Sequence, residues 1–264
     1  KEGNNHYFTI QENKLIENIF INGNVRINDE LIINNIKLKK NGFVNKNYLI
    51  EDINIIKNIY SVKGFNKVNV DVSTEKFSSD RVNIIFNIRE NKQSQIERIK
   101  FQGNFTFSDR YLLSLINTKS KNFYNIFSSG SNLNLESFNF DIIKIKSFYK
   151  QKGFFDVNVN FNITETSSNK YTVDFFIEEG YRLKLDDILL DNPESDFSLQ
   201  IDLKFDKFLN KISKNNNYYD QEIIDNFLNN INKILINNNL FNSMYVANLE
   251  QNNEKNRLIF NENK

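Results

Sequence analysis

Cysteine and tryptophan are missing from the 264 residues, and proline, methionine and histidine occur once each. Without cysteine the chain forms no disulfide, thiol nucleophile or thiolate metal site, and the redox compartment stays undecided. The single histidine, His6, reads as a solvated side chain in a strand rather than a general base. No run of about 18 apolar residues is present to cross a bilayer as a helix. An excess of one charge is missing as well: 34 basic and 33 acidic residues leave a net charge of +1, so no global field draws in nucleic acid or an anionic membrane. Glycine is scarce, and its eight positions are not scattered.

What is present is material for packed cores, 39% hydrophobic residues with 25 phenylalanines, and a repeat. In residues 138–163, Phe138, Ile142, Ile145 and Tyr149 follow the spacing that lines one face of a helix. Lys150, Lys152 and Gly153 close that helix, because basic side chains meet the partial negative charge of a helix end and glycine accepts the left-handed turn beyond it. Phe155, Val157, Val159, Phe161 and Ile163 then alternate with polar residues, the period of a strand with one buried face. The same pattern stands 89 positions earlier: Leu49, Ile53, Ile56 and Tyr60, then Lys63 and Gly64, then Phe65 with Val68, Val70 and Val72. A period of this length predicts several small units rather than one large domain.

Residues 7–13 read as the orphaned last strand of a unit that has been cut away, because their ending, Ile-x-Glu-Asn, recurs at 88–91 where a full unit finishes. The chain is therefore expected to be a fragment, divided as 1–13, 14–91, 92–180 and 181–264. Each clear unit opens with a strand ending in Gly-Asn, IENIFINGN at 16–24 and IERIKFQGN at 96–104, where both residues are expected to supply the positive φ of a tight turn. Helix starts follow at Asn28-Asp29 and Ser108-Asp109, a capping side chain with an acid in the first turn. The connector to the next helix is short in the first unit and extended over 118–134 in the second. There Phe123, Tyr124 and Phe127, beside Lys119 and Lys121, either fold over the core or form an exposed contact loop. A polar turn and a second strand close each unit as a hairpin.

Strand, helix, helix, strand, strand is thus written twice, punctuated by Gly23, Gly42 and Gly64, then by Gly103, Gly130 and Gly153. From Tyr181 onward no glycine occurs, and the third unit rests on periodicity. A strand is predicted over 181–190, a helix over 203–212, and a second helix capped by Asp220 with Ile224, Phe227, Ile231, Ile234 and Leu235 on its apolar side. Pro193 and the acids Asp186, Asp187, Asp191, Glu194 and Asp196 mark its loop-rich entry.

The series IERIKFQGN, FDIIKIKSFYKQKGFFDVNV and FFIEEG resembles the POTRA (polypeptide-transport-associated) domain, and the parallel motifs of the first unit extend the resemblance over nearly the whole chain. It implies an α+β fold of tandem three-stranded sheets, each with two helices on one face. It also implies an arm on the periplasmic side of the outer membrane of a Gram-negative bacterium, ahead of a C-terminal membrane β-barrel outside this sequence. Unfolded outer-membrane proteins and accessory lipoproteins are the implied partners, and no catalytic residue, metal or cofactor comes with the family. In the family the strand after Gly-Phe is an exposed sheet edge, able to hydrogen-bond an added strand. Here that assigns peptide binding to Val68, Asn69, Val70, Asp71 and Val72, and to Val157, Asn158, Val159, Asn160 and Phe161.

Other classes fit less well. The element order also opens one type of KH domain, but neither connector carries the Gly-x-x-Gly loop that clamps a nucleic-acid backbone. Glu178-Glu179 and Asp186-Asp187 point to opposite faces if extended, which suits neither a shared proton nor a metal, and no phosphate-binding loop occurs. No enzymatic role is expected. The nearer rivals are the arm of another translocation factor, of a two-partner secretion transporter, or a free-standing peptide-binding module. The number of units favours the longer arm of an outer-membrane assembly factor.

Overall fold

Residues 13–121, 131–191, 197–251 and 255–263 are described by the structure, a computed structural model. In chain order the elements are β1 (Leu15–Asn22), α1 (Asp29–Asn35), α2 (Lys46–Val62), β2 (Asn69–Lys76), β3 (Arg81–Arg89), β4 (Gln95–Gln102), α3 (Asp109–Leu115), α4 (Leu135–Gln151), β5 (Asn158–Ser167), β6 (Lys170–Glu178), β7 (Asp187–Leu190), α5 (Ser198–Lys214), α6 (Gln221–Asn237), β8 (Met244–Gln251) and β9 (Asn256–Asn263). They form three sheets of three strands, ordered β1-β3-β2, β4-β6-β5 and β7-β9-β8. The strand made last is the central one each time. It runs parallel to the opening strand and antiparallel to its hairpin partner in the first and third sheets.

By contacts the chain divides into two compact units, Lys1–Ile99 with Thr118–Asn139 and Ile163–Val173, and Lys100–Asn117 with Phe140–Asn162 and Asp174–Lys264. In the first, Val82, Ile84, Phe86 and Ile88 on one face of β3 meet Ile32 and Ile36 from the α1 side and Ile56 and Tyr60 of α2 in one apolar core. Each such side chain contributes about 1.5–3 kcal/mol when buried. The second unit is richer in rings. Phe107 lies 4.7 Å from Phe148 and 5.1 Å from Tyr149, while Phe208, Phe227 and Phe260 form a triad with centroids 4.7–5.2 Å apart.

The expected helix starts are present: Asn28 and Ser108 accept the N–H of Leu31 and Tyr111 at 3.1 and 3.4 Å. At the Gly-Asn turns, however, only glycine takes positive φ, +81° at Gly23 and +82° at Gly103. The asparagines do a different job. Asn24 donates to the Ile27 carbonyl at 2.8 Å and to Asp29 at 2.6 Å, and Asn104 to the Phe107 carbonyl and Asp109 at 2.9 and 2.8 Å, tying the turn to the next helix.

The ends of the three second helices share one hydrogen-bond pattern. Phe65, Phe154 and Leu240 each donate to the carbonyl five residues back, Tyr60, Tyr149 and Leu235, at 3.0 Å. Gly64, Gly153 and Asn239 supply the left-handed residue, at φ of +85°, +92° and +65°. The third repeat of the element pattern thus keeps the turn without glycine, because asparagine is the side chain that best tolerates this conformation. Its opening strand is shorter than predicted, four residues from Asp187 to Leu190, and its first helix is longer.

Candidate functional site

A three-stranded sheet has two edges; in the first two sheets the edge of the opening strand is closed at its start by the chain's own connector, and in the third the connector bonds the residues just ahead of β7. Leu15 bridges Phe43; Ile16 N donates to Gly42 O and Asn41 N to Ile16 O, both at 2.8 Å. Gln95 bridges Asn132, with Lys121 N to Ile96 O at 2.7 Å and Leu133 N to Ser94 O at 3.1 Å. Lys184 bridges Tyr218, with Leu185 N to Asn217 O at 2.8 Å and Tyr219 N to Leu183 O at 2.9 Å. The β1–β3 ladder also slips between Ile16 and Ile19, a further bar to adding a strand there.

The opposite edge of the first sheet is β2, paired in continuous register with β3 from Asn69 opposite Arg89 to Lys76 opposite Val82. Phe77 N and Ser78 N both donate to Arg81 O, at 3.0 and 3.1 Å, which fixes the phase of the ladder. Since bonded pairs alternate along an antiparallel ladder, Asn69, Asp71, Ser73 and Glu75 bond β3, and Val70, Val72 and Thr74 direct N–H and C=O to the open side. The side chain of Val70 is buried and that of Val72 half-buried, anchoring the strand from inside, while Asn69 and Asp71 are exposed and Asp71 pairs with Arg89 at 2.8 Å. The same spacing from Gly153 assigns the open-edge role in β5 to Val159 and Phe161. There Val159 is buried, Phe161 lies 6.3 Å from Phe175, and Asn158 and Asn160 are exposed. Val68 and Val157 precede the strands and donate their N–H into the turn, to Phe65 O and Phe154 O at 3.4 Å. Phe123, Tyr124 and Phe127 lie outside the described residues.

The third sheet differs. On α6, Asn232 accepts the N–H of Tyr245 at 2.6 Å and donates to its carbonyl at 3.1 Å, so one side chain occupies an outward-facing donor and acceptor of β8. Lys57 and Lys146 stand at the matching helix positions, and Lys146 bonds the Asn158 side chain instead. Nothing in the sequence singled out Asn232 among the asparagines of its helix. Asn232→Ala is expected to open this edge. Amide exchange at Tyr245, whose N–H Asn232 accepts, should then speed at least about tenfold with that at Asn248 unchanged; an unchanged rate at Tyr245 would refute the role of Asn232.

The repeated closing glutamates hold the sheets to the turns. Glu90 accepts Tyr60 Oη at 2.9 Å and Arg26 N at 2.6 Å, and Glu179 accepts Tyr149 Oη and Thr106 N, both at 2.9 Å. Burial, reinforced by the glutamate, pushes both phenols well above the usual value of 10.0. A raised acid pKa means the unfolded chain loses its protons first, so this contribution is intact below pH about 10 and falls away as pH rises further. Tyr149→Phe is expected to cost about 1–2 kcal/mol at pH 7 and to flatten the alkaline loss, as measured by urea unfolding from pH 7 to 11.

Two fully buried carboxylates escaped the sequence reading. Asp52 accepts the N–H of Lys37 and Leu38 at 2.5 and 3.0 Å, and Asp141 accepts Asn117 N at 2.7 Å, pinning the chain that leaves the first helix. The paired carboxylates serve separate partners: Glu178 takes Asn158 and Glu179 takes Tyr149, while Asp186 takes Asn256 N and Asp187 pairs with Arg257.

Comparison with known proteins follows the same lines. The family model for POTRA, described as surface antigen variable number repeat, matches residues 15–91 and 94–180. Two curated relatives carry the name outer membrane protein assembly factor BamA. That of Neisseria meningitidis serogroup B is 27% identical over 125 residues, 46% of this chain and 16% of the relative. That of Neorickettsia risticii is 23% identical over 173 residues, 66% of this chain and 23% of the relative. The matched stretch thus spans under a quarter of either relative's length. Among solved structures, POTRA3-5 of Haemophilus influenzae BamA aligns at a TM-score of 0.42 and 12% identity, covering 94% of this chain and 96% of that one. The N-terminal domain of Omp85 from Thermosynechococcus elongatus aligns at 0.43 and 16%, covering 97% and 100%. With the family model matching both glycine-punctuated repeats, the chain belongs to the POTRA family.

Proposed function

We propose that this chain is part of the periplasmic arm of an outer-membrane β-barrel assembly factor of the BamA kind, and that it holds unfolded barrel proteins by adding their strands to β2 and β5. The observation that carries this reading is the asymmetry of the edges. The connector bonds the start of β1 and of β4 and the residues just ahead of β7, while β2 and, by the same spacing, β5 offer backbone donors and acceptors at Val70, Val72, Val159 and Phe161 in strands whose exposed side chains are polar. Backbone pairing accepts many sequences, which suits a partner class as varied as barrel strands. On this reading residues 14–91, 92–180 and 181–264 are successive POTRA repeats, the third divergent; the strand expected over 7–13 falls, but for its last residue, outside the described residues. Accessory lipoproteins dock on the arm, and the membrane β-barrel belongs to the same protein.

No helix among the described residues is long and apolar enough to cross a membrane. The test is a fluorescent ten-residue peptide with the alternation of a barrel strand. Methylating every second backbone nitrogen is expected to weaken its binding at least about tenfold, equivalent to 1.4 kcal/mol, whereas shuffling its side chains within the alternation should change little. Equal binding of the methylated and parent peptides would exclude strand addition.

A further inference from the structure

The edges of β2 and β5 carry different charges. An antiparallel strand laid on β2 exchanges backbone bonds with Val70, Val72 and Thr74, so Asn69, Asp71, Ser73 and Glu75 lie opposite it in the non-hydrogen-bonded pairs, where side chains come closest. All four are exposed, on the face away from the buried side chain of Val70. Two of them are acids. Asp71 and Glu75 stand four residues apart, about 13 Å along the strand.

The first sheet leaves both acids short of positive charge. In register, Asp71 faces Asn87 and Glu75 faces Asn83, each neutral. Arg89 reaches Asp71 diagonally at 2.8 Å, but both side chains are more than half exposed, and such a pair contributes little. Arg81, on the same face of β3, is taken by Glu17 at 2.6 Å, and Glu75 has no ion pair among the described residues. β5 is a control within the chain. At the same spacing from Gly153 that Asp71 and Glu75 have from Gly64, it carries Asn160 and Thr164, both exposed and uncharged. Asn158 and Asn162 beside them are uncharged as well.

We propose that the two edges sort partner strands by charge. β2 takes strands with Lys or Arg at two positions four residues apart on the polar face, set against Asp71 and Glu75, and rejects strands with acids there. β5 is indifferent to charge at these positions. The inference rests on the strand addition proposed above and adds the residues that select among strands. A strand of alternating apolar and polar residues adds in one facing only, because its apolar side continues the inner face of Val70 and Val72. Its polar side then falls beside the acids. Opposite charges directly across a sheet favour pairing and like charges oppose it, so turning two such pairs from attraction to repulsion shifts affinity about tenfold.

The test separates the edges by proline. Ile163→Pro closes β5 and leaves β2, and Thr74→Pro does the reverse, because each removes an N–H that faces the open side. Three ten-residue barrel-strand peptides, alike but for Lys, Gln or Glu at two polar-face positions four apart, are titrated onto each chain by fluorescence anisotropy. The Ile163→Pro chain should bind the Lys peptide at least about tenfold more tightly than the Glu peptide at low salt. The ratio should approach one in about 1 M NaCl, where charges are screened within about 3 Å. Adding Asp71→Asn with Glu75→Gln to that chain should bring the low-salt ratio to about two or below, and the Thr74→Pro chain should show such a ratio from the start. Equal binding of the Lys and Glu peptides by the Ile163→Pro chain would overturn the charge rule and leave strand addition standing. So would a ratio that survives Asp71→Asn with Glu75→Gln. Failure of all three peptides, Gln included, on both chains would overturn strand addition itself and the charge rule with it.

Discussion

Gly103→Ala is expected to lower stability by about 3–5 kcal/mol, the sum of backbone strain and overpacking. At φ +82° any side chain is strained, and a Cβ built there lies 2.1 Å from the carbonyl oxygen of Ile177. That oxygen cannot retreat, because Ile177 is in β6, the central strand held between β4 and β5. Gly23 faces Ile88 O at the same 2.1 Å, which explains why the Gly-Asn pair closes the opening strand in both clear repeats. Gly180→Ala is the control: its φ is +70°, but the nearest atom to an added Cβ is the Asp156 Cβ at 3.3 Å, which has only to give by a few tenths of an ångström, so about 1–2 kcal/mol of backbone strain is expected. Urea unfolding of the two variants decides the point. Losses of equal size would mean that close approach to the central strand does not set the requirement at Gly103.

The second large effect concerns binding. In the double variant Thr74→Pro with Ile163→Pro, proline replaces an N–H that faces the open edge in β2 and at the matching position of β5, so no bond to the central strand is lost. Affinity for a strand-like peptide is expected to fall at least about tenfold, or 1.4 kcal/mol, while stability changes by about 1 kcal/mol or less. Moving each proline back one residue, Ser73→Pro with Asn162→Pro, removes N–H groups that bond β3 and the matching strand β6. Stability should then fall by about 3 kcal/mol per site. If both pairs of variants lost stability equally, the phase assigned to the edge would be wrong.

Much of this architecture was legible in the sequence because it depends on local periodicity. Of the two predicted stripes, Ile56, Tyr60, Phe138, Ile145 and Tyr149 are buried completely and Leu49, Ile53 and Ile142 are half-buried, and the alternation of β2 and β5 marks their inner faces. Helix starts at Asn28, Ser108 and Asp220 were readable for the same reason, since a cap bonds its own next turn. What the sequence hid depends on partners distant along the chain. Asn232 and Tyr245 meet across thirteen residues, and Asp52 reaches back to Lys37 and Leu38 across a loop. Such residues carry no periodic mark. In the third repeat the glycine rule misled, because Asn239 adopts the same left-handed turn, and Phe227 fills with an aromatic ring the helix position that Asp52 and Asp141 hold elsewhere. The pairing of connectors with the starts of β1 and β4 was also unseen, and no connector bond of that kind falls on β2 among the described residues.

The most direct measurement is amide hydrogen exchange, residue by residue, on the 264-residue chain with and without a saturating strand-like peptide. The account predicts that the peptide slows exchange at Val70 and Val72, whose N–H groups face the open edge of β2, and at Val159 and Phe161, which share their spacing in β5, and leaves Asn69, Asp71 and Ser73 unchanged, since these already bond β3. Protection confined to helix faces or loops, with these four amides unaffected, would contradict it.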